Sequence, residues 1–160
     1  MRIERVELGS ALLQECFDLR AEVFVVEQGV PVELELDALD ADPATQHLAA
    51  ITGLDGTEHV VGTVRWVIEP AGFEGTQPSL GPAAHLQRLA VAQQARGNGL
   101  GAALVAAVEA DAAERGHRVV YLAAQSQAVP FYVRLGYTQH GDVFDDAGIP
   151  HHHMTKSLNP

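Results

Sequence analysis

The sequence predicts an α/β fold in one domain, with a mixed and mostly antiparallel sheet, a central parallel βαβ pair and flanking helices. Three observations lead there. The chain has 160 residues, which fits one domain able to bury a core without metals or disulfides. Residues 85–124 read as strand, glycine-rich turn, amphipathic helix and strand, so the two strands should run parallel with a right-handed crossover. Ahead of them, alternating apolar segments at 47–51 and 60–68 read as a hairpin.

The elements follow in order. Residues 2–8 alternate as a first strand and lack the apolar core of a signal peptide. Ser10 caps a helix whose apolar residues Leu12, Leu13, Cys16, Phe17, Val23 and Phe24 keep helical spacing, and Gly29 and Pro31 end it. Residues 29–43 form an acidic loop with room for a short helical turn. In the hairpin, Val60, Val64, Trp66 and Ile68 share one face and Thr63 and Arg65 the other. A Gly/Pro-rich connection covers 70–82, and a strand covers 85–91. After the turn at 96–101, a helix at 100–115 turns Leu100, Ala103, Leu104, Ala107 and Val108 inward and stops at Gly116. Residues 119–124 are an apolar strand buried on both faces. A second helix at 126–135 stops at Gly136, and 137–139 and 151–157 supply the last strands.

Composition excludes several classes of function. No apolar run approaches the length of a membrane span, so no membrane partner is expected. The lone Cys16 excludes an internal disulfide and reads as an inert core thiol; the cytoplasm is the expected compartment. A formal net charge of −11 argues against a nucleic-acid partner. Between Arg20 and Arg65 there is no Lys or Arg, while Glu22, Glu27, Glu33, Glu35, Asp37, Asp40, Asp42, Asp55 and Glu58 all fall there. Two readings stand: a solvated acidic loop, or a negative field that gathers a cationic amine.

The turn Arg96-Gly97-Asn98-Gly99-Leu100-Gly101 joins a strand to a helix start. Its glycines let the backbone approach a ligand, and amides at a helix start converge on an anion such as a pyrophosphate, with Arg96 adding charge. A P-loop would need a Lys after its second Gly, and the only lysine here is Lys156. A dinucleotide fold expects an acid about 20 residues on, and none occurs between Glu114 and Asp142.

These residues resemble the GNAT superfamily of N-acetyltransferases. The resemblance rests on Leu86-Gln-Arg-Leu-Ala-Val91 followed by Arg96-Gly-Asn-Gly-Leu-Gly101-Ala-Ala-Leu104, and on Ala128-Val-Pro-Phe-Tyr-Val-Arg-Leu-Gly-Tyr137, at the family's spacing. Arg20-Ala-Glu-Val-Phe-Val-Val-Glu-Gln28, the acidic run through Asp40, His47 and Gly148-Ile-Pro-His151 resemble the ElaA/YjcF-like branch. The resemblance implies one N-acetyltransferase domain over 1–160 and acetyl-CoA as cosubstrate. Arg96, Gly97, Asn98, Gly99, Leu100, Gly101 and Ala102 would hold the pyrophosphate. Main-chain groups of Leu89, Ala90 and Val91 would pair with the pantetheine arm like an added strand. Gln125 stands where relatives often place an Asn toward the same arm. Tyr132 falls where the family places the tyrosine facing the coenzyme sulfur, as general acid.

Direct acyl transfer also needs a deprotonated amine, and a base offsets part of that cost. Glu27, Glu33, Glu35, His47, His85 and His151 are all candidates. Glu27, Gln28, Glu33, His47 and His151 are the expected acceptor contacts. The run His151-His152-His153 invites a metal reading, but adjacent histidines alone do not make a site, and no metal is expected. The expected partner is a small-molecule or peptide amine, cationic by the charge pattern; a homodimer stays open. Alternatives are a non-catalytic acetyl-CoA-binding module, an acyltransferase for a longer acyl group, and a structural or partner-binding domain.

Overall fold

The computed structural model describes residues 1–53 and 56–158. Asp55, counted above in the acidic stretch, lies outside the described residues. Seven strands, β1 (Arg2–Val6), β2 (Gln46–Thr52), β3 (His59–Glu69), β4 (Ala83–Val91), β5 (Val119–Gln125), β6 (Thr138–Asp146) and β7 (Ile149–Ser157), join in the order β1-β2-β3-β4-β5-β7-β6. The sheet is mixed: β4 and β5 run parallel, with Ala84 opposite Val120 and His85 opposite Tyr121. Pairs β1–β2, β2–β3, β5–β7 and β6–β7 are antiparallel. The helices are α1 (Ala11–Arg20), α2 (Val32–Glu35), α3 (Leu100–Glu114) and α4 (Val129–Arg134).

The chain divides into two compact units, Met1–Trp66 with Arg88–Val108 and Val67–Gln87 with Glu109–Pro160. In the first unit the expected cap forms, Leu13 N–H donating to Ser10 Oγ at 3.1 Å. α1 buries Leu13 and Cys16 against Val6, Ala49 and Ile51, and burial pushes the Cys16 thiol up, as an inert core thiol requires. The helix does not run on uniformly. From Ala21 to Glu27 it winds as a π-helix, with Gln28 N–H donating to the Val23 carbonyl at 3.2 Å. Leu19 at the end of α1 and Val23 of the π-helical stretch pack on Ala90 and Ala92.

The hairpin faces are less simple than alternation predicts. Thr63 and Arg65 are as buried as Val64 and Trp66, while Ile68 is exposed. α3 passes so close to β3 that a Cβ at Gly62 would meet Leu104 Cδ1 at 2.8 Å and push that side chain aside. On α3, Leu100, Leu104 and Val108 are buried as expected, together with Val105 and Ala112; Ala103 is exposed instead.

In the second unit, Ala83, Val119 and Tyr121 form a core against Leu80. The expected short strand at 137–139 is nine residues long and forms a hairpin with β7. Its register shifts between His140 and Phe144, and that irregularity hid it from a period-two reading. The expected helix at 126–135 is a 3-10 turn, Ser126–Ala128, followed by α4. Among the described residues no helix is long and apolar enough to cross a membrane.

Candidate active site

The glycine turn lies in the first unit. Gly97 and Gly99 take φ of 86° and 78°, the left-handed region open to glycine, and the turn from Arg96 to Gly99 is exposed. No atom lies within 4 Å of a Cβ built on either residue, so backbone conformation demands glycine here, not crowding. α3 follows for 15 residues, and its first amides have no carbonyl one turn back. An anion at this exposed helix start would meet several N–H groups and the positive end of the helix dipole.

Arg96 is engaged from both sides. Its Nε donates to the Val91 carbonyl at 3.0 Å and its Nη2 to Glu27 Oε1 at 2.8 Å. Glu27, expected at the acceptor, therefore stands at the glycine turn. Just before Leu89, Ala90 and Val91, Arg88 takes φ of 56°, uncommon for a residue with a side chain. Its guanidinium holds that bend, donating to the carbonyls of Glu35 and Leu34 at 3.2 and 3.3 Å and to Asp37 Oδ2 at 3.3 Å.

The acidic stretch turns out to be largely neutralised. Arg20 donates to Glu35 Oε1 at 2.6 Å and to Asp40 Oδ1 and Oδ2 at 2.6 and 2.9 Å. Arg65 donates to Asp37 Oδ1 and Oδ2 at 2.7 and 2.9 Å and to Asp40 Oδ1 at 2.8 Å. Arg20, Arg65, Glu35 and Asp40 are all buried. Burial opposes ionisation of Asp40, but Arg20, the Asp37 N–H and Arg65 outweigh it and hold the carboxyl far below the usual range. The expectation of a loop without a nearby cation is corrected: arginines remote in sequence reach it. Glu22, Glu33 and Asp42 of the stretch are exposed.

Other expected acceptor contacts scatter. His47 is buried, set edge-on to Phe17 at 5.9 Å, and its Nε2 has no hydrogen-bond partner among the described residues. Burial lowers its pKa, so the ring is a neutral packing group. Gln28 and Glu33 are exposed.

The second unit holds the rest. Gln125, at the end of β5, accepts from Gln127 and lies opposite His151 in the β5–β7 ladder. Tyr132 is buried on α4, edge-on to Phe131 at 4.9 Å and to Tyr137 at 5.7 Å, and burial pushes its phenol up to about 12. Tyr137 in turn donates to Glu109 Oε2 at 2.8 Å. The histidine run is divided by strand alternation. His151 Nδ1 lies 2.8 Å from the Ile149 carbonyl, His152 contacts Ser126 Oγ at 2.9 Å and Gln139 Nε2 at 2.8 Å, and His153 Nδ1 lies 2.6 Å from the Tyr121 hydroxyl. Sequence reasoning missed this last pair, because Tyr121 reads as one more apolar residue of a buried strand.

A comparison with known families finds the acetyltransferase (GNAT) domain matched over residues 44–158. The chain belongs to the GNAT acetyltransferase family. Within it, this GNAT protein falls in the ElaA/YjcF-like branch. It is 37% identical over 145 residues to YjcF of Bacillus subtilis, an uncharacterized N-acetyltransferase, covering 90% of this chain and 91% of that one. An acyl-CoA N-acyltransferase of Pseudomonas aeruginosa superposes with a TM-score of 0.76 at 29% identity, over 97% of this chain and 98% of that chain. ElaA of Escherichia coli shares the fold at 24% identity, with a TM-score of 0.77 over 98% and 99% of the two chains.

Proposed function

We propose that this GNAT protein is an acetyl-CoA-dependent N-acetyltransferase that moves acetyl directly to a primary amine of a small molecule or peptide. The observation that carries this reading is the exposed turn with Gly97 and Gly99 left-handed at the start of α3. Such a turn suits a pyrophosphate and offers no lysine for an NTP. We assign Arg96, Gly97, Asn98, Gly99, Leu100, Gly101 and Ala102 to the pyrophosphate, and Leu89, Ala90, Val91 and Gln125 to the pantetheine arm. We read 1–160 as one acetyltransferase domain; the family match from 44 to 158 runs through both units and supports this.

In the transfer, the neutral amine nitrogen bonds to the acetyl carbon as the carbon–sulfur bond breaks; the sulfur leaves as a thiolate, and the proton that the nitrogen sheds ends on that sulfur to give the free thiol. Tyr132 is our general acid. A phenol near 12 keeps its proton at neutral pH. Full donation to a thiolate of ordinary pKa, roughly 8.5, would be uphill by about 4–5 kcal/mol. Tyr132 therefore acts mainly by hydrogen-bonding the sulfur as charge develops on it. On the acceptor side we keep Glu27, Gln28, Glu33 and His151, while His47 contributes through packing.

The test is coenzyme A binding by calorimetry, followed by an amine-library screen that reads free thiol and acetylated product by mass. Binding without turnover of any amine would favour a non-catalytic binding module. Failure to bind coenzyme A would sink the proposal.

A further inference from the structure

The second unit contains a polar aromatic cluster that the proposed function leaves unused, with His85, one of the candidate bases in the sequence, inside it. Tyr121, on β5, is buried, and its hydroxyl contacts His153 Nδ1 on β7 at 2.6 Å. Around His153, Phe144 stacks at 4.4 Å and His140 at 5.6 Å from β6, and Glu74 Oε2 lies 3.9 Å from Nδ1. His140 Nε2 donates to the Glu74 carbonyl at 2.9 Å, which fixes the turn Phe73–Gly75 against β6. Tyr121 also meets His85 edge-on at 4.9 Å, with Glu69 Oε1 3.7 Å from the His85 Nδ1. His153 and His85 keep 16% and 13% of their side chains exposed.

The charge here is negative: among the described residues the acids Glu69 and Glu74 face His85 and His153 and no arginine. Burial, then Glu74, pushes the Glu69 carboxyl up. Burial, then Glu74 and Glu69, does the same to the Tyr121 phenol. Two carboxylates beside aromatic faces make a favourable environment for an organic cation.

We propose that this cluster is the docking site of the acceptor amine, with His153 as the group that takes its proton. The assignment rests on the acetyl-transfer reading and deepens it. Glu74 and Glu69, 52% and 25% exposed, attract a primary ammonium, and the partly exposed rings of His153 and His85 lie beside them. The ammonium gives one proton to His153 and becomes the neutral nucleophile. In the imidazolium both ring nitrogens carry hydrogen, so Nδ1 donates to the Tyr121 oxygen while Glu74 offsets the charge. The groups facing His153 are Tyr121 from β5, His140 and Phe144 from β6, and Glu74 from the turn.

The experiment titrates phenethylamine, with 2-phenylethanol as its uncharged counterpart, into protein labelled at the histidine rings, and follows the rings by NMR. Phenethylamine should move the His85, His140 and His153 signals, and 2-phenylethanol should bind at least tenfold more weakly. The Glu69→Gln/Glu74→Gln double variant should lose tenfold or more in phenethylamine affinity. Unmoved rings, equal binding of the alcohol, or unchanged affinity in the double variant would overturn the assignment. In turnover, His153→Gln should lower kcat for phenethylamine by about 10²–10⁴ and leave coenzyme A affinity unchanged. An unchanged kcat in His153→Gln would remove His153 as the proton acceptor. Calorimetry with coenzyme A on the same samples separates the two ideas. Coenzyme A binding without amine docking at these rings sinks only the acceptor site, whereas absent coenzyme A binding sinks the acetyl-transfer reading itself.

Discussion

Arg96 and Glu27 form a 2.8 Å ion pair at the glycine turn, bringing the end of the π-helical stretch to the residue assigned to the pyrophosphate. A carboxylate on that guanidinium competes with any phosphate that approaches it. Both side chains are partly exposed, at 42% and 30%, so the competition is modest. Glu27→Gln should tighten coenzyme A binding about two- to fivefold by calorimetry, the scale of one exposed pair. Weaker binding would mean that Glu27 orients Arg96 for the phosphate instead.

Gly99→Val should cost at least about a hundredfold in coenzyme A affinity, because a β-branched residue resists φ of 78° and the turn's amides would swing away. The far-ultraviolet circular dichroism should stay near native, since a Cβ at this position meets no atom within 4 Å. Near-native affinity in a folded Gly99→Val variant would refute the anion site.

Tyr132→Phe keeps the packing on Phe131 and Tyr137 and removes only the hydroxyl. Acetyl-CoA affinity should change little, while turnover should fall by about 10², the lower end of the effect of losing a general acid. The lower end fits a phenol pushed up to about 12, which stabilises by hydrogen bonding more than by proton transfer. An unchanged rate, with chemistry shown to limit turnover, would leave Tyr132 as packing alone.

Asp40→Ala should lower stability by about 3–5 kcal/mol, because it leaves Arg20 and Arg65 buried with one partner fewer. Asp37 and Asp40 have depressed pKa values in the folded protein. Their contribution is therefore complete above the ordinary carboxylate pKa of roughly 3.9 and is lost as pH falls below it. Thermal melts should show the wild type losing Tm steeply below about pH 4, and Asp40→Ala starting lower with a shallower acid fall. Glu33→Gln, which alters an exposed acid of the same stretch, should leave Tm within about a degree, the scale of a surface substitution. A comparable loss in Glu33→Gln would show that net charge, not the buried cluster, sets the acid sensitivity.

Much of the fold was legible because its signals are local. The Ser10 cap, the apolar spacing of α1, the glycine turn and the parallel β4–β5 pair all follow from neighbours in sequence. The π-helical stretch at Ala21–Glu27 was not, since its residues keep ordinary helical spacing and only the hydrogen-bond pattern differs. β6 was read far too short because Gly141 and the register shift after His140 interrupt its alternation. The candidate site divides in the same way. The turn from Arg96 to Gly101 carries its own conformational demand and could be read directly, whereas the partners of each acid could not.

The sequence by itself determined the family, the glycine turn and the order of strands and helices around it. These depend on residue types at fixed short spacings: glycine where φ is positive, apolar residues at helical or strand period. Tertiary structure alone decided which charges meet. Arg65 reaches Asp37 and Asp40 across 28 and 25 residues, and Tyr121 reaches His153 across 32. A run of acids looks the same in sequence whether water or arginine surrounds it. Only the folded chain brings the counter-charges close enough, and dry enough, for Coulomb attraction to outweigh the cost of burial.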